Sequence, residues 1–232
     1  MSNAKALGTF LAWMLARRLI TGIEVPREKD GLPYRFQDQD DHSAQLRRCL
    51  TDSEVPLEVR VVGALVRLYA IPVARIVALT TDRFSRDETH SYLMIEQNAV
   101  ILPPSLAALI EELIAARQRD GLKRRGIRAG AGPGVPAFMF PGRPPSRPRN
   151  TTSLGKELRR FGLPTLAARN SAMIANIVDL EPVVVSDLFG IAPQTAHKWA
   201  QYAQTSWATY LAARSAETAS GHNVQRSSRM SV

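Results

Sequence analysis

In the helical stretches between His42 and Tyr210 apolar residues return every three or four positions, and from Tyr92 to Leu102 that period changes. There, Tyr92-Leu93-Met94-Ile95 and Ala99-Val100-Ile101-Leu102 flank the polar triplet Glu96-Gln97-Asn98, and Pro103-Pro104 closes the run. Two short apolar runs around a polar turn read as a β-hairpin. A lone hairpin is at best marginally stable in water, so this one must pack on the helices around it. The chain is therefore expected to be mainly α with a small β-hairpin or sheet, an α+β fold.

Helical spacing and breakers place the other elements. His42–Leu50 reads as a short helix opening the main body near Ser43, with Thr51 or Asp52 as cap of the next. Pro56 to Ala70 carries Val59, Val62, Val66 and Tyr69 on one face. Pro72 interrupts, and Val73–Leu79 makes a further short helix that ends at Thr80-Thr81-Asp82. After the hairpin, Ser105 is expected to cap a helix Leu106–Arg119 that buries Leu109, Ile110, Leu113 and Ile114. Thr151 or Thr152 would cap Leu154–Phe161, followed by Leu166–Val178, Pro182–Leu188 and Gln194–Tyr210, the last broken near Thr205. Residues 7–20 form one amphipathic helix that cannot bury its apolar face alone. The expected organisation is a remnant helix in 1–25, a linker over 26–42, the main fold over 43–214 and a disordered polar tail over 215–232.

Composition removes several function classes. A single cysteine, Cys49, excludes an internal disulfide framework and a multi-cysteine metal or cluster site. The histidines are scattered without metal-ligand spacing, so no metal and no cofactor are expected. Leu7–Leu15 is interrupted by Arg17 and Arg18 well short of a membrane span, and the order of charge and apolar run is wrong for an export signal. The expectation is a cytoplasmic protein with no membrane partner.

Charge points elsewhere. The 232 residues hold 30 Lys or Arg against 21 Asp or Glu, a net +9. From Arg117 to Arg169 thirteen basic residues face two acidic ones, a local +11, while the remainder is −2. A basic segment on a near-neutral body favours a polyanion surface over compositional drift. The candidates for DNA contact are Arg124, Arg125, Arg128, Arg143, Arg147, Arg149 and Lys156. Gly130, Gly132 and Gly134 form a GxGxG, but no strand precedes it and Pro133 and Pro136 interrupt it, so a mobile basic loop is the expectation. Within it, residues 136–144 (PAFMFPGRP) hold an apolar anchor that should tuck onto the core.

Val184–Trp199 reads as a helix-turn-helix pattern: a helix closes at Leu188-Phe189, Gly190 turns, Ile191 plugs, and Gln194, Thr195, His197 and Lys198 face outward. Gln194 suits an adenine edge and Lys198 a phosphate. A purely structural helical corner satisfies the same pattern.

The order of parts (helix, LTTD, hairpin, helix, basic loop ending in FPGRP, helix, ARN, DLFGI and an aromatic nine residues past the glycine) resembles the catalytic domain of the tyrosine recombinases, the phage-integrase family. More closely, it looks like the divergent integrase-like proteins of actinobacteria, over about residues 43–212. That resemblance implies a tyrosine that attacks a DNA phosphodiester, two arginines on the non-bridging oxygens and a Lys or His as general acid. Carried onto this chain, the motifs match poorly. The first arginine position falls on Pro72, with Arg75 a helical turn later. Gln97 and Asn98 stand where the hairpin lysine belongs. Arg169 matches the second arginine, but Leu166 replaces the preceding histidine, Asn170 replaces the following one, and Ile191 replaces that of the LGH box. Trp199 occupies the nucleophile position, with Tyr202 a turn beyond. An indole forms no covalent link to phosphate. The catalytic candidates are thus Arg75, Arg169 and Tyr202, with Arg169 also fitting an arginine that bonds helix-end carbonyls.

Three functions follow. The first is binding of double-stranded DNA on an integrase-like scaffold without strand transfer. The others are an active site-specific recombinase with displaced residues, and a helix-turn-helix regulator or interaction module that self-associates or meets a partner through residues 7–20.

Overall fold

The computed structural model describes residues 10, 11, 13, 14, 17–20, 35–125 and 137–205, with side chains in the first long stretch described through Arg119. The chain divides into a unit of residues 1–34 and a unit of 35–232. In the first, residues 10, 11, 13 and 14 are helical, but residues 17–20 are turn and bend and Arg18 has φ +55°, so the expected helix does not reach Ile20. The cause is local: a non-glycine residue in the left-handed region ends the hydrogen-bond ladder.

The second unit begins inside the span read as a linker. Asp38 caps α1 (Gln39–Thr51) by accepting from the Asp40 amide, so the helix starts ahead of Ser43. Asp52 ends it, and Pro56, not Thr51 or Asp52, stands at the start of α2 (Leu57–Tyr69). Then come α3 (Val73–Ile76), a 3-10 turn Thr81–Arg83, β1 (Phe84–Arg86), β2 (Ser91–Ile95) and β3 (Asn98–Leu102). Next are α4 (Pro104–Arg125), α5 (Thr151–Arg160), α6 (Leu166–Asp179), α7 (Pro182–Phe189) and α8, residues 193–205. Ser105 lies inside α4, because Pro104 already fits a first helical turn that needs no amide donor. Asn150, not Thr151 or Thr152, caps α5 by accepting from the Ser153 amide. Gly121–Arg125 continue α4 where a loop was expected. Residues 126–136, the end of the last expected helix and the polar tail lie outside the described residues.

The sheet is antiparallel in the order β1-β2-β3, with Phe84 opposite Leu93 and Leu93 opposite Val100. Ser91, Leu93 and Ile95 point into the core in the period of two that a one-faced sheet requires. The strand β1 adds an edge that the hairpin reading lacked. The PAFMFPGRP segment docks as expected: the Met139 amide bonds Leu79 O at 2.9 Å, and Met139 and Phe140 are fully buried.

Everything gathers on α2, which is apolar nearly all round and packs against α1, α4, α5 and α6. Such a helix belongs in the middle of a core. It carries Arg67, 2% exposed, whose guanidinium donates to Gly63 O, Gln45 Oε1 and Pro164 O. His42 of α1 donates from Nε2 to Arg67 O at 3.1 Å, leaving Nδ1 buried with no partner among the described residues. A cluster of Glu58 with Arg117 and Arg149, the last also paired with Glu157, ties α2, α4 and α5 together. No described helix is long and apolar enough to cross a membrane.

Two predictions follow from this core. At Gly63, α1 and α2 approach so closely that a Cβ would sit 2.6 Å from Cys49 Sγ. Gly63→Ala is expected to lower unfolding free energy by about 1–3 kcal/mol in urea titrations, and adding Cys49→Ala should recover much of it. For His42, burial lowers the imidazole below its ordinary 6.5, the bond to Arg67 O opposes this, and the Arg67 charge adds to the lowering. Above pH 6.5 both folded and unfolded chains hold it neutral. As pH falls through that value the unfolded chain binds the proton first, so stability should decline towards the lower, folded pKa. His42→Gln should flatten that part of the stability–pH curve.

Candidate nucleic-acid interface and the arginine pair

Helix ends explain where the two candidate arginines lie. The residue after α2, Ala70, is left-handed at φ +52°, and its carbonyl faces away from the helix ladder. Arg169, one turn into α6, donates from Nε to Ala70 O at 2.8 Å. The residue after α7, Gly190, is left-handed at φ +59°. Arg75 of α3 forks onto that end, with Nη1 on Phe189 O at 2.7 Å and Nη2 on Gly190 O at 2.8 Å. Both side chains thus complete helix C-termini, where unpaired carbonyls and the helix dipole favour a cation.

They also lie near one another. The Arg169 pKa is lowered from its ordinary value, by burial first and then by the charge of Arg75. Arginine remains protonated through such shifts, so the site holds two positive charges. One carboxylate pairs with Arg75: Glu96 Oε1, 3.4 Å from Arg75 Nη1. Glu96 sits in the β2–β3 turn, which also receives Arg83 Nη1 at Glu96 O, 2.8 Å, while Asn98 Nδ2 donates to Asp187 O at 2.6 Å. Sequence reasoning placed Glu96 and Asn98 only as turn residues. The available signal was a glutamate where a two-residue turn prefers glycine or asparagine.

Tyr202 lies on α8 in an aromatic stack. Its ring is 5.5 Å from Phe36 and 6.4 Å from Trp199, and its hydroxyl makes no hydrogen bond among the described residues. Trp199, at the position implied for a nucleophile, is 9% exposed and belongs to the core. Gln194, Thr195, His197 and Lys198 face outward on α8, and Ile191 packs on the core between α7 and α8.

The basic segment divides in two. Arg149 does not project as a free cation: Glu58 and Glu157 both pair with it, because it closes the hairpin-like loop where Gly142 N bonds Arg147 O at 2.8 Å. Arg143 and Arg147 at that loop's tip, and Lys156, Arg159 and Arg160 on α5, are exposed with no carboxylate partner among the described residues. Lys156, Arg159 and Arg160 are spaced i, i+3, i+4 and therefore share one face, opposite the buried Leu154 and Leu158. Arg128 and the side chains of Arg124 and Arg125 lie outside the described residues. No group of potential metal ligands occurs among the described residues.

Known structures share this fold. The chain superposes on XerA recombinase with TM-score 0.53 at 11% identity, over 89% of this chain and 73% of that one. The fold is that of a tyrosine recombinase catalytic domain. XerH site-specific recombinase in a post-cleavage complex with its difH substrate gives TM-score 0.55 at 12% identity, over 83% of this chain and 58% of that one. The Tn1549 transposon integrase in complex with a circular intermediate DNA gives 0.50 at 11%, over 88% and 77%. The chain thus spans between roughly half and three quarters of these recombinases' lengths. No protein-family model matches the sequence, and no curated protein does.

In this recombinase fold the Arg75 fork bridges α3 to the α7–α8 corner. Arg75→Ala removes two charged hydrogen bonds and is expected to lower unfolding free energy by about 2 kcal/mol in urea titrations. Arg75→Lys, which keeps the charge and loses the fork, should fall between the two.

Proposed function

We propose that this chain binds duplex DNA on a tyrosine recombinase scaffold and does not transfer strands. The observation that carries the binding reading is the α5 face. Lys156, Arg159 and Arg160 stand exposed on one side of a helix, and Arg143 and Arg147 stand exposed at the preceding loop tip, with no carboxylate paired with any of them among the described residues. An unneutralised row of cations stays in place against its own repulsion and suits a phosphate backbone. Lys198 and Gln194 on α8 add a phosphate donor and a base-edge reader to this reading. The XerH and Tn1549 proteins are solved in complex with DNA, which supports the same partner class.

Loss of strand transfer rests on different residues. The buried indole of Trp199 stands where the resemblance implies a nucleophile, and Arg75 and Arg169 direct donors at the protein's own carbonyls. Arg75, Arg169 and Tyr202 would be the catalytic set of an active enzyme, and the Tyr202 ring stacks on Phe36. The exposed Phe10, Trp13 and Leu19 of the first unit support a contact with a second copy or a partner protein through residues 7–20.

Binding to a duplex of about 20 base pairs should weaken linearly in log K against log salt. Replacing Lys156, Arg159 and Arg160 together by alanine should reduce the magnitude of that slope by about 3, near 0.9 per phosphate. A nicked suicide substrate should trap no covalent adduct. An adduct that Tyr202→Phe abolishes would establish the active-enzyme reading instead, and absence of duplex binding at about 50 mM salt would remove the DNA reading altogether.

A further inference from the structure

The β2–β3 turn is built against its own backbone preference. Glu96, the first of two turn residues, has φ +54°, a left-handed conformation that glycine or asparagine adopts far more readily than a glutamate. Strain of this kind persists where surrounding contacts over-determine it, and here they are visible. The Glu96 carbonyl accepts from Arg83, and its side chain crosses Gly190 so closely that a Cβ there would lie 2.5 Å from Glu96 Cγ. Its carboxylate ends beside Arg75. Past the turn, Asn98 donates to Asp187 O on α7. The turn is therefore pinned from both sides to the end of α7, with a carboxylate laid across an arginine.

The carboxylate pairs with Arg75, whose charge in turn acts on Arg169. Arg75 and Arg169 contribute two guanidiniums, Arg169 uses only Nε in its bond to Ala70 O, and among the described residues no acidic group pairs with Arg169. The Arg75–Glu96 pair is also half open to water, at 38% and 50% exposure. Exposed pairs of this geometry hold weakly, so an outside anion can compete with this one. Gly190 is the enabling residue, since any side chain would collide with Glu96 and with Arg75 Nη1, 2.9 Å from the added carbon.

We propose that the β2–β3 turn is an autoinhibitory latch in which Glu96 is the resident anion of the Arg75–Arg169 pair, excluding phosphate-type oxyanions until the turn is displaced. The latch involves none of the exposed cations assigned to duplex binding, and it stands or falls apart from that reading. Opening it breaks the Glu96 ion pair and the Asn98–Asp187 bond, and it relieves the strain at Glu96. The helix caps that Arg75 and Arg169 provide can remain in place throughout.

The test uses the full chain, titrated with inorganic phosphate while the Arg75 and Arg169 Nε–H resonances are followed by NMR, each assigned from its Arg→Lys variant. Wild type is expected to show no saturable shift into the tens-of-millimolar range. Glu96→Gln, which removes the charge alone, should show a saturable shift at both arginines with an apparent Kd at least tenfold lower. Glu96→Gly removes charge and strain together and should do the same, so it decides the matter if the glutamine variant does not fold. A parallel titration with a 20-base-pair duplex separates the sources: an unchanged duplex isotherm in Glu96→Gln identifies free phosphate, and a tighter one identifies a phosphodiester. Wild type and both variants responding alike to inorganic phosphate, whether all bind it or none does, overturns the proposal.

Discussion

Arginine-to-carbonyl bonding at helix ends is the interaction on which the rest of this fold depends. Each short helix leaves its last carbonyls without intrahelical partners, and a fold of many short helices multiplies that debt. Here an arginine from another element meets one helix end after another. Arg60 serves Cys49 O and Leu50 O at the end of α1, and Arg169 serves Ala70 O after α2. Arg48 serves Phe161 O after α5, and Arg75 serves Phe189 O and Gly190 O after α7. A lysine could meet the dipole from a single nitrogen, whereas the guanidinium fork reaches divergent carbonyls with separate nitrogens held in one plane. These bonds join elements far apart in sequence, so they act as tertiary links as well as caps.

This use of arginine changes what the charge excess means. Within the basic segment Arg117, Arg149 and Arg169 are engaged inside the protein, the first two on Glu58. Arg117 also donates to Met139 O at 3.1 Å, holding the chain where it leaves the undescribed stretch. The glutamate pairs therefore tie down Arg117 and Arg149, and among the described residues the cations that remain exposed on α5 and the loop tip are available to a partner. Counting charges along the chain locates the region. Only the partners of each side chain separate the cations that bind outward from those that bind inward.

Much of the architecture was legible in the sequence for plain physical reasons. Helical periodicity and proline breaks located α2, α6 and α7 to within a residue or so, because their apolar faces are buried against one core. The hairpin was legible because its period changes. The edge strand β1 was not: three residues, of which Ser85 and Arg86 are exposed, carry no alternation to detect. Caps were misassigned wherever two polar residues competed, as at Asn150 and Thr151, since only backbone geometry decides which side chain reaches an amide. For the candidate site, the residue types were legible and their partners were not. Arg75 and Arg169 stand out by motif spacing, yet the carbonyls they bind lie 114 and 99 residues away. Glu96 was invisible as a site residue because nothing in a turn sequence shows which helix end it will lie against.

The same geometry separates residues that hold this fold from residues that the resemblance assigns to chemistry. A nucleophile or a general acid contributes to chemistry and little to folding, whereas Trp199 packs in the core. The two arginines are different. Removing either leaves helix-end carbonyls unpaired at the junctions of α2 with α6 and of α3 with α7, a loss of about 1–3 kcal/mol per buried polar group. A chain on this scaffold can therefore exchange the groups that would cut DNA while the arginines are held in place by folding alone. Once held, two neighbouring guanidiniums keep attracting an anion whether or not there is a reaction to perform. In this protein an internal carboxylate, presented by a strained turn, meets that requirement from within.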